Sequence, residues 1–300
     1  MGCQLERRDF LKASGVSIVG TAGATFLVGC APSGGKQADA KDGEAGAEGD
    51  IKVKVAFFSP TGGTRNAAGA LAESIAAKPD YYDLTVPSGR QKDIEFANDE
   101  LAIVAAPSMG GRLAAVDGML SSLKGNDTPA VVMASFGNRN FDDLLAQMKG
   151  ILNAQGFKVI GGIAVVTPHV FSEKAGRNRP NAEDRDVIAE FAEKVAAKFK
   201  AGTLEEAEIP GSPQPEVKPL TVAVKSYNAE NCTKCGQCAS NCPVGAIDAA
   251  DVSKTNEDAC ISCQRCTYAC NFYGRNYDTS PVRGFIETKC LEKKQISTFV

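Results

Sequence analysis

The 300-residue sequence contains no tryptophan and a single histidine, His169, and its net charge is only −3. This charge balance supplies no basic surface for nucleic acid, so we expect no nucleic-acid partner. Neither GxGxxG nor GxxxxGK followed by Ser or Thr is present, which disfavours a dinucleotide or NTP site. No uncharged apolar run of about 18 residues follows residue 30, and the sequence therefore predicts no transmembrane helix in the mature chain.

Cysteine is abundant: there are eleven, and eight of them fall between residues 232 and 270. "CTKCGQCASNCP" starts at residue 232 and "CISCQRCTYACN" starts 28 residues later, so the spacing C-x2-C-x2-C-x3-C occurs twice. This spacing is typical of ferredoxins, in which three cysteines bind one 4Fe–4S cluster and the fourth binds the other. We therefore assign the first cluster to Cys232, Cys235, Cys238 and Cys270, and the second to Cys260, Cys263, Cys266 and Cys242.

Zinc and disulfides are the alternatives for these cysteines. Zinc uses four cysteines in two C-x2-C pairs, and disulfides, although common in exported proteins, do not require a duplicated register. The duplication favours two 4Fe–4S clusters. Residues 221–290 also resemble bacterial two-cluster ferredoxins, down to "CPVGAID" after the first set, although Asn271 stands where those proteins have proline after the second. The resemblance implies a small α+β domain.

Five short apolar runs alternate with helical stretches between residues 51 and 203. The runs are "IKVKVAFF", "YYDLTV", "LAIVAAP", "PAVVMAS" and "KVIGGIAVV", and helices are predicted at 64–77, 114–124, 140–155 and 183–201. Strands that alternate with helices predict an α/β fold, a parallel sheet covered on both faces with ligands at the carboxyl ends of its strands. One face of the last helix is predicted to carry Val187, Ile188, Phe191, Val195 and Phe199.

The first strand runs directly into "SPTGGTRN", a turn that suits an anion. Its Ser and Thr residues offer hydroxyls, and its two glycines let backbone N–H groups close around a phosphate at the start of the next helix. "VAFFSPTGGTRNAAGAL" resembles the phosphate loop of flavodoxins, the small FMN proteins. The resemblance implies a five-stranded parallel sheet over residues 51–203 and FMN contacts from Ser59, Thr61, Gly62, Gly63, Thr64 and Arg65.

Two later segments correspond to the loops that cover the flavin ring in flavodoxins. "PSMGGR" supplies Ser108, Met109, Gly110 and Gly111, and "SFGNRNFDD" supplies Phe136, Gly137 and Asn138. Flavodoxins usually stack an aromatic side chain on the ring. Because the first of these loops offers only Met109, Phe136 is the predicted stacking residue. A flavodoxin-like scaffold without flavin is the alternative.

The first thirty residues are typical of an export signal. Arg7 and Arg8 precede an uncharged, Gly-rich stretch, a pattern of the twin-arginine type that carries folded proteins. The stretch ends in "LVGC", which resembles the lipobox of bacterial lipoproteins and predicts lipidation of Cys30. Residues 31–50 have too little apolar surface to order and are predicted to be a disordered tether. Further along, 204–220 is predicted to be a Pro-rich linker and 291–300 a C-terminal tail.

The whole arrangement resembles the fused flavodoxin–ferredoxin proteins of anaerobic bacteria. The resemblance implies an electron-transfer protein that passes electrons between two clusters and FMN and serves redox partner proteins. The members of that family are usually read as cytoplasmic, and this chain departs from them in its export signal, which predicts a lipid anchor on the outer face of the cytoplasmic membrane. The alternative is a flavin-dependent reductase of a small extracytoplasmic substrate, fed through the clusters. We favour the carrier because no acid–base set can be identified, and we interpret His169 as a loop residue that makes a structural hydrogen bond.

Overall fold

The computed structural model describes residues 50–216 and 224–300. The predicted export signal, the lipidation site Cys30 and nearly all of the predicted tether lie outside these residues, as does part of the predicted linker. Within the described ranges, no helix combines the length and the apolar character needed to cross a membrane.

The described residues form ten strands and six α-helices, numbered in chain order. The strands are β1 (Lys52–Phe57), β2 (Asp80–Asp83), β3 (Ile94–Phe96), β4 (Glu100–Pro107), β5 (Leu123–Gly125), β6 (Thr128–Phe136), β7 (Phe157–Val166), β8 (Val224–Tyr227), β9 (Arg275–Asp278) and β10 (Ser297–Phe299). The helices are α1 (Gly63–Glu73), α2 (Leu144–Ala154), α3 (Ala182–Lys200), α4 (Gln237–Ser240), α5 (Arg265–Tyr268) and α6 (Ser280–Lys289).

The central sheet has the strand order β10-β7-β6-β4-β1-β2. The last five of these strands pair in parallel, and β10 pairs antiparallel with β7. The parallel strands therefore stand in the spatial order 2-1-3-4-5, which is the order of the flavodoxin-like doubly wound fold. This confirms the predicted flavodoxin-like α/β fold. In such a sheet the ligand site lies at the carboxyl ends of the strands where the order reverses, here between β1 and β4.

Helices cover both faces of the sheet. Every residue of β6 is buried, as expected of a near-continuous apolar run in the centre of a parallel sheet. Leu71 of α1 and Phe191 of α3 pack against one face, and Leu145 and Met148 of α2 pack against the other. Full burial of an apolar side chain of this size stabilises the fold by about 1.5–3 kcal/mol. The phosphate-loop turn thus starts from a packed layer, with Val55, Ala56 and Phe57 of β1 buried.

One predicted helix and one predicted contact of α3 are wrong. Residues 114–124 form turns that lead into β5, which pairs in parallel with β3 in a separate two-stranded sheet. Gly118 has φ +62°, a left-handed conformation that interrupts a helix. The apolar side chains of this stretch are nevertheless buried, so their pattern reflects packing of a turn against the core. On α3, Val187 is exposed, whereas Ile188, Phe191 and Val195 are buried.

The predicted C-terminal tail, residues 291–300, contributes a short edge strand, β10, to the central sheet. β10 adds an antiparallel edge strand to β7. The side chain of Asn138 holds the preceding segment: its Nδ2 donates to the carbonyl oxygens of Cys290 and Glu292, and its Oδ1 accepts from the Lys294 N–H at 3.2 Å. The sequence signal was weak because three residues are too few to show the alternation of a strand.

The cysteine-rich segment forms the predicted small α+β unit. β8 and β9 pair antiparallel, with Tyr227 opposite Arg275. α4 and α5 are one-turn helices at the same position in each cysteine repeat, and each follows a residue in the left-handed conformation, Gly236 or Gln264. The internal duplication of the sequence is therefore also a duplication of backbone structure.

Candidate functional site

The turn from β1 into α1 presents unpaired backbone donors. Ser59 fixes the turn from within, because its Oγ accepts from the Arg65 N–H at 3.0 Å and its N–H donates to Thr85 Oγ1 at 2.8 Å. Across the described residues, no acceptor pairs with the N–H groups of Thr61, Gly62, Gly63 and Thr64. Unpaired N–H groups at a helix N-terminus form an anion site. The sequence prediction of a phosphate loop thus has matching donors, while Ser59 and the Arg65 N–H shape the loop.

The second predicted loop closes on the start of α2. Ser108 Oγ accepts from the Gly111 N–H at 3.2 Å, and the Gly111 carbonyl oxygen accepts from the Asp143 N–H at 3.0 Å. Gly111 has φ +90°, and a Cβ at this position would lie 2.2 Å from Asp142 Oδ2. Only glycine fits here, so Gly111 holds the loop in shape and leaves Met109 and Gly110 to face the space beside it.

A cavity of about 500 Å³ opens where the three loops meet. The predicted residues in its wall come from all three: Thr61, Gly63, Thr64, Ser108, Met109, Gly110, Phe136 and Gly137. Thr64 Oγ1 lies 2.8 Å from Ser135 Oγ, and both residues belong to the wall. The volume is that of a typical cofactor pocket. Unpaired N–H donors for a phosphate and a mainly apolar lining for a ring fit FMN.

Part of the cavity wall comes from residues far away in the sequence. Phe285 of α6 lines the cavity and is 60% exposed, whereas Phe136 is 4% exposed and packs against Phe141 at 5.8 Å between ring centroids. Phe285 is therefore the most accessible aromatic ring of the wall, and the predicted stacking residue Phe136 is a core residue. Asn138 does not line the cavity, because its side chain binds the C-terminal segment. No sequence signal links α6 to a flavin site.

His169 lines the cavity next to the third loop. It packs so closely on Gly137 that a Cβ there would lie 2.4 Å from His169 Cδ2. Its Nδ1 accepts from the Phe171 N–H at 3.1 Å, a local hydrogen bond of the structural kind. Burial, and secondly the charge of Arg139, lower the pKa of His169 to about 4. The imidazole is therefore neutral near pH 7, and its proton is on Nε2 because Nδ1 is the acceptor.

The eight cysteines of the repeats form two groups. Cys242, Cys260, Cys263 and Cys266 line one small cavity, and Cys232, Cys235, Cys238 and Cys270 line another. The fourth cysteine of each repeat lies with the first three of the other, which is the grouping that the duplicated spacing predicts.

The geometry of these cysteines disfavours zinc and disulfides. In residues 50–216 and 224–300, no three Cys, His, Asp or Glu side chains are arranged to hold a single metal ion, and all nine cysteines are free. A 4Fe–4S cluster fits a wider arrangement because each thiolate binds a different iron atom. Within these ranges, neither a mononuclear zinc site nor a disulfide has the geometry that it needs.

Backbone donors and burial distinguish the thiols. The Ala246 N–H donates to Cys242 Sγ in the first repeat, and the Gly274 N–H donates to Cys270 Sγ at the equivalent position of the second, both at 3.2 Å. The bond to Cys270 therefore forms although Asn271 replaces the proline that follows the fourth cysteine in ferredoxins. Burial raises the pKa of the Cys263 thiol to about 12. The exposed Cys235 has a lowered pKa, chiefly because the Gln237 N–H donates to it. The first group is thus open to solvent at Cys235, whereas every cysteine of the second group is buried or half-buried.

Two buried side chains of β9 face the cysteines, and sequence reasoning did not identify them. The strand alternates buried and exposed residues, which turns Arg275 and Tyr277 inward. The Tyr277 hydroxyl lies 3.7 Å from Cys266 Sγ and 4.0 Å from Cys260 Sγ. Arg275 belongs to the walls of both cysteine cavities. A four-residue alternation was the only available signal.

The cysteine-rich segment and the flavodoxin-like unit share a wall. Cys263 lines both the second-cluster cavity and the 500 Å³ cavity. Its neighbours reach across: Gln264 Nε2 donates to the Val170 carbonyl oxygen at 2.8 Å, and Arg265 donates to the Pro60 carbonyl oxygen at 3.3 Å. The proposed phosphate loop and the second cluster therefore border the same space.

Comparisons with known proteins agree with the division into a flavodoxin-like unit and a cysteine-rich segment. Two family models, each described as a 4Fe-4S binding domain, match residues 225–248 and 257–274. The chain joins a flavodoxin-like domain to a two-cluster ferredoxin segment. The two matches contain all eight cysteines of the repeats, and so the C-terminal segment is a 4Fe–4S binding segment. A search of curated proteins finds no match.

Three solved structures resemble the chain. A flavodoxin from Streptococcus pneumonia TIGR4 is 21% identical and covers 49% of this chain and 99% of its own, with a TM-score of 0.34. A putative flavoprotein from Bacteroides uniformis is 12% identical over 48% of this chain and 99% of its own, with a TM-score of 0.33. The Flv1 flavodiiron core from Synechocystis is 13% identical over 51% of this chain and 37% of its own, with a TM-score of 0.35. The fold assignment rests on the strand order.

Proposed function

We propose that this chain is an exported electron-transfer protein, held on the outer face of the cytoplasmic membrane through Cys30, that passes electrons between its two 4Fe–4S clusters and FMN. The observation that carries the redox part is the position of Cys263, which belongs both to the second cluster and to the wall of the large cavity. The export and anchoring part is supported by the sequence alone, through Arg7-Arg8 and "LVGC".

When bound, FMN exchanges two electrons whereas each cluster exchanges one, so the protein can join a one-electron partner to a two-electron one. The N–H groups of the phosphate loop and the Thr64 hydroxyl would hold the phosphate. Met109 and Phe285 would contact the ring. The exposed Cys235 places the first cluster at the surface, and Cys263 places the second beside the flavin cavity. The order of the sites is therefore partner protein, first cluster, second cluster, FMN.

His169 favours the carrier over the small-substrate reductase. A reductase that hydrogenates a small molecule needs a group that delivers a proton at the flavin. His169 lines the cavity, but its pKa of about 4 leaves it without a proton to give near pH 7, beyond the tightly held one on Nε2. His169 therefore supplies no imidazolium acid near pH 7, which favours the carrier.

The redox proposal is tested on anaerobically purified full chain. We expect about eight iron, eight sulfide and one FMN per chain. After mixing with a one-electron dye, reduction of FMN should be slowed in Cys263→Ala and in Cys235→Ala, each of which should lose the electron-paramagnetic-resonance signal of one cluster. Native FMN reduction rates in Cys263→Ala would contradict transfer through the second cluster.

The localisation proposal needs a separate experiment in cells. Replacing Arg7 and Arg8 with lysines should leave folded, cluster-bearing protein in the cytoplasm. Cys30→Ala should be exported without lipid, which mass spectrometry of the mature N-terminus detects. Unchanged export of the double lysine variant would rule out the twin-arginine route.

A further inference from the structure

A buried positive charge lies between the two cluster sites. Arg275 is only 6% exposed, and it lines both cysteine cavities. Its guanidinium donates to the Val252 carbonyl oxygen and to Thr255 Oγ1, the latter at 2.9 Å, and lies 5.5 Å from the centroid of the Tyr227 ring. Its Nε has no hydrogen-bond partner among the described residues.

The partners of Arg275 are all neutral. Within residues 50–216 and 224–300 it forms no ion pair with a carboxylate. A buried charge without a counter-charge strongly destabilises a fold. The 4Fe–4S clusters supply the missing negative charge, because a cube with a 2+ core and four thiolate ligands carries a net charge of −2. The buried Nε–H is in addition a donor that lacks an acceptor among the described residues.

We propose that Arg275 sets the reduction potentials of both 4Fe–4S clusters. On reduction a cluster takes up one electron from its donor and becomes one unit more negative, and a fixed positive charge in a low-dielectric interior stabilises that state. Because Arg275 borders both sites, it raises both potentials and offsets the repulsion between two reduced clusters. The inference rests on the clusters of the proposed function.

Arg265 is a natural contrast within the same segment. It lines the second-cluster cavity but not the first, and it donates to Asn241 Oδ1 at 2.8 Å and to Pro60 at 3.3 Å. If charge in the cavity wall sets the potential, removing the charge of Arg265 should affect the second cluster alone.

The test is a redox titration of the full chain, followed by electron paramagnetic resonance. In Arg275→Gln the ratio of reduced to oxidised cluster at a fixed potential should fall roughly tenfold at both clusters, about 59 mV for one electron. Arg275→Lys keeps the charge and should stay close to the native potentials. Arg265→Gln should lower the potential of the second cluster only.

Iron and sulfide are counted in every variant first. Absence of clusters from the native protein would refute the proposed function itself, whereas a fully loaded Arg275→Gln with native potentials would refute only the role of Arg275. Equal shifts in the Lys and Gln variants would also overturn the inference, because shape rather than charge would then matter. If neither Arg275→Gln nor Arg275→Met holds clusters after reconstitution while Arg275→Lys does, the charge serves assembly and the inference fails.

Discussion

His169 is the only histidine of the chain, and burial governs its chemistry. The pKa of His169 is about 4 in the folded protein, below the ordinary value of 6.5. The folded state therefore binds this proton less readily than the unfolded state. Above about pH 6.5 the group has no effect on stability, and as the pH falls from there to about 4 it lowers the free energy of unfolding by roughly 3 kcal/mol.

The shift can be measured directly because no second histidine interferes. In the full chain with oxidised clusters, the ring signals of His169 should titrate with a midpoint near pH 4 in nuclear magnetic resonance spectra of histidine-labelled protein. The same signals in urea should titrate near 6.5. A midpoint between 6 and 7 in the folded protein would mean that the ring is solvated and charged at mildly acidic pH.

Thr64 and Phe285 line the same cavity but should act on different parts of FMN. A hydrogen bond to a charged group contributes about 1.5–3 kcal/mol, so Thr64→Ala should weaken FMN binding roughly ten- to hundredfold. Riboflavin, which has no phosphate, should be hardly affected. Phe285→Ala should weaken FMN and riboflavin to the same extent, because it removes apolar contact with the ring.

Fluorescence titration of the flavin measures both affinities. Thr64→Ser keeps the hydroxyl and should bind FMN nearly as well as the native protein. Equal losses of FMN and riboflavin in Thr64→Ala would show that the loop is not a phosphate site. The iron content should not change in any of these variants.

At the scale of elements, the central strands could be predicted because their signal is local. β1, β4, β6 and β7 are apolar runs bounded by turn residues, and burial on both faces of the sheet requires such runs. The helix predicted at residues 114–124 is wrong because these residues form turns whose apolar side chains pack on the core. In turns, the spacing of apolar residues does not indicate a helix. β10 could not be predicted, since what pairs it with β7 is the packing of residues 290–294 on Asn138.

Asn138→Ala should detach this C-terminal segment locally. It removes hydrogen bonds to Cys290, Glu292 and Lys294, each contributing about 1 kcal/mol. Hydrogen exchange of the amides of β10 should accelerate more than tenfold. Asn140→Ala is the matched control, because in the described part of the chain Asn140 Oδ1 accepts only from the nearby N–H groups of Phe141 and Asp142. Unchanged protection in Asn138→Ala would show that strand pairing alone holds the segment.

At the scale of the whole molecule, the cluster cysteines could be predicted from the sequence. Of the wall of the flavin cavity, only the residues of the three loops could be predicted. The cysteine groups follow from spacing, which is a property of each repeat and its partner. The contributions of Cys263 and Phe285 to the large cavity depend on how the C-terminal region packs on the sheet, and no local pattern records that packing. Arg275 was missed for the same reason, because its position between the two cysteine cavities is visible only in the folded structure.

The two regions are fixed to each other by contacts distributed along the chain. Arg90 donates to the Pro243 carbonyl oxygen at 2.7 Å, Gln264 bonds Val170, and β10 returns the chain to the first sheet. Electron transfer between the second cluster and bound FMN should therefore need no diffusive docking. After flash reduction of the clusters, the rate should be first order, independent of protein concentration and unchanged by glycerol.

The double variant Arg90→Ala, Gln264→Ala supplies the contrast. It removes two hydrogen bonds between the regions, together with those from Arg90 to the Leu84 and Thr85 carbonyl oxygens, and it replaces no cysteine. Its transfer rate should therefore be lower and should fall further as the viscosity rises, and FMN affinity is measured alongside because Thr85 contacts Ser59 of the phosphate loop. Lys52→Ala, which among the described residues removes an exposed ion pair with Asp99 inside the flavodoxin-like unit, should behave like the native protein. A native rate that falls in proportion to viscosity would mean that the clusters must swing to reach the flavin, and the shared wall at Cys263 would then not be the route.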